Sequence, residues 1–150
     1  MTQLTSIARF ERFFRAAAGL NVDKSDLKRY TDFVNQKTYD LLLIGQAHAK
    51  ANARSLIEPF DLPITKGLQE CIHRFREMDE TIELQPILDH ITRLPPLDLE
   101  YSDDTRNELA QIVGGLSVAL AQSFLVIDPR VKHPNAGHWE RAFQLFILLL

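Results

Sequence analysis

Four side chains in the last quarter of the chain carry the atoms for metal chemistry. Asp128, His133, His138 and Glu140 offer two carboxylates and two imidazoles from a loop and the start of a helix. Divalent transition metals take such nitrogen and oxygen donors. The interval His133-x4-His138-x-Glu140 matches no standard zinc spacing, and the polarity of a surface loop accounts for the same residues. Nucleophilic chemistry has less to build on. Cys71, the single cysteine, sits in an apolar helical pattern and reads as core. No Ser or Cys stands beside a recognisable base, and Gly114-Gly115 lies inside a helical pattern, not in a phosphate-binding loop. His48, His73 and His90 are isolated within helical patterns and read as helix-face or hydrogen-bonded core groups. No catalytic residue, cofactor or small-molecule substrate is expected.

Cations offer a second kind of chemistry, the neutralisation of phosphate. Arg9, Arg12 and Arg15 recur three apart; Lys24, Lys28 and Arg29 follow, and Arg130 and Lys132 come much later. Net charge is -3, unevenly spread: residues 1–80 hold 12 Lys/Arg against 11 Asp/Glu, and residues 81–150 hold 5 against 9. A uniformly basic nucleic-acid coat is excluded, whereas a local basic patch is not.

Helices must position these groups. Phe10, Phe13, Phe14 and Ala17 form one apolar stripe over Ile7 to Ala18, with Gly19 as the expected C-cap. Asp23 and Ser25 are candidate N-caps for a long helix from Asp26 to about Arg54, striped by Leu27, Tyr30, Val34, Leu41 and Gly45. Roughly 29 residues make a helix about 43 Å long, expected to be the spine on which the rest packs. Pro63 suits a helical first turn, and Ile64, Leu68, Cys71, Ile72 and Phe75 continue that helix to about Met78. The second half repeats the order: a short helix over Leu84 to Ile91, a stop at Leu94-Pro95-Pro96-Leu97, Ser102 as N-cap of a long helix to Ile127, a loop over 129–136, and a last helix over Gly137 to Leu150. No segment alternates with period two, so the fold class is all-α. Gly114 and Gly115, with Ala47, Ala49, Ala51 and Ala53, are expected where the two long helices cross closely. The aromatic stripe, with Phe143 and Phe146, reads as core; Trp139, beside a loop, would mark an interface if exposed. No stretch reads as a membrane span or a signal peptide, and a cytoplasmic location is expected.

Short helix, long helix, short helix, given twice, resembles the histone fold in tandem. The second loop of that fold typically carries an Arg, an apolar residue three positions on and an Asp seven positions on. Arg54, Ile57 and Asp61 stand at that spacing, followed by Leu62; Leu56 stands where the family often has Thr, and Arg130 has only Gly137 seven residues later. Over roughly 4–150, the chain is similar to a small family of uncharacterised bacterial histone-like proteins that fuse two histone folds. The residues carrying this are Phe10 to Leu20, Asp26-Leu27-Lys28-Arg29, Leu62-Pro63-Ile64, Leu94-Pro95-Pro96-Leu97-Asp98-Leu99 and Leu148-Leu149-Leu150. The resemblance implies a pseudodimer within one domain, 1–150. Units 4–80 and 81–150 would pair in a handshake, with Arg54 and Asp61 clamping the loop.

In a handshake the first loop of one unit lies beside the second loop of the other. Lys24, Lys28 and Arg29 would meet Arg130, Lys132, His133 and His138 at one end, with Arg9, Arg12 and Arg15 nearby. At the other end Lys50, Arg54 and Lys66 would face Asp98, Glu100, Asp103 and Asp104. Histones hold DNA by backbone and Arg contacts without reading bases, and only one end here has the charge for it. The expected function is a non-enzymatic protein-interaction or assembly module, with a protein partner or self-association. One alternative is weak, sequence-independent binding of double-stranded DNA, with Arg9, Arg12, Lys24, Lys28, Arg29, Arg130 and Lys132 on phosphates. A second alternative is metal binding.

Overall fold

Each long helix begins where a side chain satisfies donors that the helix cannot. The Asp23 carboxylate accepts from the Ser25 amide at 2.8 Å, and Asp26 accepts from the Asp23 amide at 3.1 Å, so α2 runs Lys24–Ala51. Ser102 Oγ accepts from the Thr105 amide at 3.1 Å and opens α5, Asp103–Ile127. The computed structural model describes residues 2–150, with side chains from Ile7. Its other helices are α1 (Thr2–Ala18), α3 (Lys66–Glu77), α4 (Gln85–Ile91) and α6 (Ala136–Leu149). Gly19 closes α1 with φ +65°, a conformation a side chain would resist.

Several boundaries differ from expectation for local reasons. α2 stops at Ala51, because Ala53 turns left-handed at φ 56°; its amide bonds Lys50 O, and the Arg54 amide bonds Ala49 O. That is a Schellman closure, built here on alanine in place of glycine. Pro63 and Ile64 stay in the loop, since Thr65 Oγ1 caps the Leu68 amide at 3.1 Å and starts α3 at Lys66. Two two-residue strands also form, β1 (Leu56–Ile57) and β2 (Glu100–Tyr101), too short for any alternation to show in sequence.

The halves build one core between them. α3, from the first half, packs along α5 of the second; α4, from the second, packs on α2 of the first. The spine is α5, not α2: α1, α2, α3 and α6 all pack against it. Leu109, Val113, Leu120, Ala121 and Phe124 of α5 are fully buried, with Phe14, Leu20, Leu42 and Trp139 around them. By length and composition α5 alone among the described residues could cross a membrane, contrary to the sequence reading, and over half of its apolar stretch is buried as a core helix. Gly114 and Gly115 do not mark the crossing of the long helices. A Cβ on Gly114 would run into the Phe75 ring, and one on Gly115 into Ile72, so the glycines admit α3. Of the four alanines, only Ala49 is buried.

The halves are also stitched at both ends. β1 pairs in parallel with β2, Leu56 opposite Glu100 and Ile57 opposite Tyr101. Ile57 O also accepts from the Ser102 amide at 3.0 Å and Thr105 Oγ1 at 2.7 Å. At the far end the Asn21 amide donates to Lys132 O at 2.7 Å.

Candidate interaction surfaces

The loop after α2 is organised by one carboxylate. Asp61, held on a turn of 3-10 helix over Pro59–Asp61, is buried and receives both terminal nitrogens of Arg54, one at 2.6 Å. The Glu58 amide donates to it at 2.8 Å, and His48 Nδ1 lies 3.0 Å away. The Arg54 guanidinium, with these further donors, holds the Asp61 carboxyl far below the usual carboxylate range against the opposing effect of burial. Arg54 also lies 4.8 Å over the ring of exposed Phe60. Both functional groups of the pair are thus consumed in fixing the loop. Beside them Lys50 pairs with Asp98 across the halves, while Lys66 turns to Glu70 on its own helix.

The Asn21–Lys132 bond brings the loop before α2 beside the loop before α6, but most of the expected cations there are engaged. Arg9 pairs with Glu83 at 2.6 Å, and Arg12 pairs in two-pronged fashion with Glu80. Both point at the segment between α3 and α4, which corrects their placement with the basic end. Lys28 pairs with Asp32 and Arg29 with Asp26. Among the described residues, Lys24, Arg130 and Lys132 are the members of the set without a carboxylate within bridging distance; all three are exposed.

The histidine and carboxylate group is drawn into the start of α6. His138 Nδ1 accepts from the Asn135 amide at 3.0 Å, and its Nε2 faces Asp128 at 3.2 Å. One ring nitrogen thus completes the cap of α6, and the other reaches the residue that ends α5. No cluster of three His, Cys, Asp or Glu among the described residues is arranged to hold a metal. Trp139 is fully buried against Phe14 and Phe124 and marks no interface.

Most of the exposed large apolar side chains among the described residues lie around the second half of α6. Leu148 and Val126 are each 79% exposed, Leu149 75% and Ile147 72%. On one side, α3, α5 and α6 enclose an open groove of about 500 Å³ whose lining includes Leu68, Cys71, Ala119, Val126, Leu145 and Leu149, and no charged residue. On the other, Ile147 and Leu150 continue onto Leu43 and Ile44 of α2. Residues 145–150 read in sequence as too short for a span. They carry a further signal: six consecutive apolar residues on one helix cannot all face a single core.

Fold and surface together define an all-helical protein of two interlocked three-helix units. The chain belongs to the DUF1931 family, a domain of unknown function, whose sequence profile matches residues 10–147. It is similar to two proteins of Aquifex aeolicus (strain VF5), both described as uncharacterized. One is 25% identical over 108 residues, covering 72% of this chain and 63% of the relative; the other is 27% identical over 128 residues, covering 77% and 74%. A crystal structure from Thermus thermophilus matches with TM-score 0.92 and 53% identity, covering 96% of this chain and 97% of that one. A second, from Aquifex aeolicus, matches with TM-score 0.81 and 21% identity over 97% and 95%, a likeness of fold alone.

Proposed function

We propose that this chain is a non-enzymatic histone-fold pseudodimer that works as a protein-interaction and assembly module. The observation that carries this reading is the uncharged apolar face around α6, since an exposed apolar patch of this size marks a contact site. The histone-fold reading draws support from the exchange of helices between halves, the stitching of opposite loops at both ends, and the Arg54–Asp61 clamp. A non-enzymatic role is supported by His138, whose nitrogens are engaged by the α6 cap and by Asp128, and by Cys71, whose thiol is pushed up by burial and is a poor nucleophile. A reducing cytoplasmic setting suits that unpaired thiol.

The test is an apolar fluorescent dye, anilinonaphthalene sulfonate, added to the folded chain at about 0.1 μM, dilute enough to hold weakly associating copies apart. Native protein should brighten the dye, and Leu148→Glu should remove most of the signal without loss of helix. A native chain that leaves the dye dark contradicts the proposal.

A second reading, weak DNA binding, is favoured by Lys24, Arg130 and Lys132, exposed side chains that make no ion pair around the Asn21–Lys132 junction. Three cations make a small electrostatic footprint.

A further inference from the structure

We propose that the occupant of the α6 face is a second copy of this chain, docked about a two-fold axis with α6 against its symmetry mate. The inference rests on reading that face as the functional surface, and goes further by naming the partner.

Area is the first reason. Leu43, Ile44, Val126, Leu145 and Ile147 to Leu149 expose roughly 700 Å² together, more than the ~300–600 Å² of the largest patch on a typical monomer and near the ~800 Å² each partner gives a standard interface. Charge is the second. In a two-fold contact every residue faces the same patch on its mate, so any net charge would repel itself. The groove is lined by no charged side chain, and the one charged pair on the α2 side of the face, Lys37 with Asp40, cancels. Shape is the third. Leu148 stands out on α6 next in sequence to Leu149, which lines the groove between α3, α5 and α6, and to Ile147, which lines the α2 side, so it forms a ridge between the two. A two-fold axis sends the ridge of each copy into the groove of the other, so one patch supplies both halves of the fit.

Sedimentation equilibrium of the full chain from about 1 μM to about 1 mM, a range that brackets weak association, tests the proposal. The mass should rise from one chain of 17.2 kDa towards two copies. Leu148→Glu and, independently, Ile147→Lys should hold it at one chain with helix content and Tm unchanged, as expected for side chains already in solvent. A native chain that stays at one copy throughout overturns the proposal, as does a dimer that both variants leave intact. A monomer that still brightens the dye in a Leu148-dependent way overturns the second copy and leaves the assembly module standing. A monomer that leaves the dye dark overturns both.

Discussion

Four donors converge on the Asp61 carboxylate, and that makes it the most consequential single residue outside the apolar core. Asp61→Asn removes the charge and one acceptor while Arg54, partly exposed, can turn to water, so the loss should be roughly 2 kcal/mol, at the lower end for a charge-assisted network. The sign of the pH effect follows from the direction of its shift. The folded carboxyl titrates below the unfolded value. Its stabilisation is therefore complete above about pH 4 and is lost as pH falls further. Thermal unfolding should show a flat Tm down to about pH 5 and a steep fall below about pH 4, with Asp61→Asn lower at neutral pH and flatter in acid. Equal acid sensitivity in both proteins would place the titrating group elsewhere. Sequence spacing, read through a family likeness, found Arg54 and Asp61; Phe60 over Arg54 and the His48 contact depend on a turn that one sequence does not reveal.

Helices were legible where caps and stripes agree. Asp23, Ser102 and Gly19 stand where their chemistry predicts, and both long helices follow from unbroken periodicity. What periodicity does not encode is which helix meets which. Gly114 and Gly115 plainly needed a close neighbour, but the neighbour is α3 and not α2, because the units exchange helices. Whether Trp139, beside a loop, faces solvent or core is not legible in sequence; the cap at Asn135 begins α6 and the ring is buried. The glycine contact gives a prediction for this scale. Alanine favours a helix interior by about 1 kcal/mol over glycine, yet a Cβ on Gly115 would strike the Ile72 side chain and sit 3.0 Å from its backbone nitrogen. Backbone cannot swing aside, so overpacking should win. Gly115→Ala is expected to lose about 1–2 kcal/mol net in denaturant unfolding. A stabilised variant would mean that α3 is loosely seated on α5.

The whole molecule divides its surface into a partly neutralised rim and an apolar face. Four of the eight cations that composition seemed to offer to phosphate, Arg9, Arg12, Lys28 and Arg29, are paired with a carboxylate of this chain, as are Lys50 and Arg54; among the described residues Arg15, Lys24, Arg130 and Lys132 make no ion pair. Charge counts cannot show such pairing, because partners such as Arg12 and Glu80 lie far apart in sequence. The apolar face around α6 has no such internal partner. Titration of short duplex DNA against salt, starting near 20 mM, separates these two uses of the fold. Counterion release gives a log–log slope of about 0.9 per phosphate contact, so Lys24, Arg130 and Lys132 together allow a slope no steeper than about 3, with binding absent at physiological salt. An assembly module predicts that result or no binding at all. A slope of about 6 or more, abolished by charge reversal at Lys28 and Lys132, would contradict it and make the chain a DNA-binding protein.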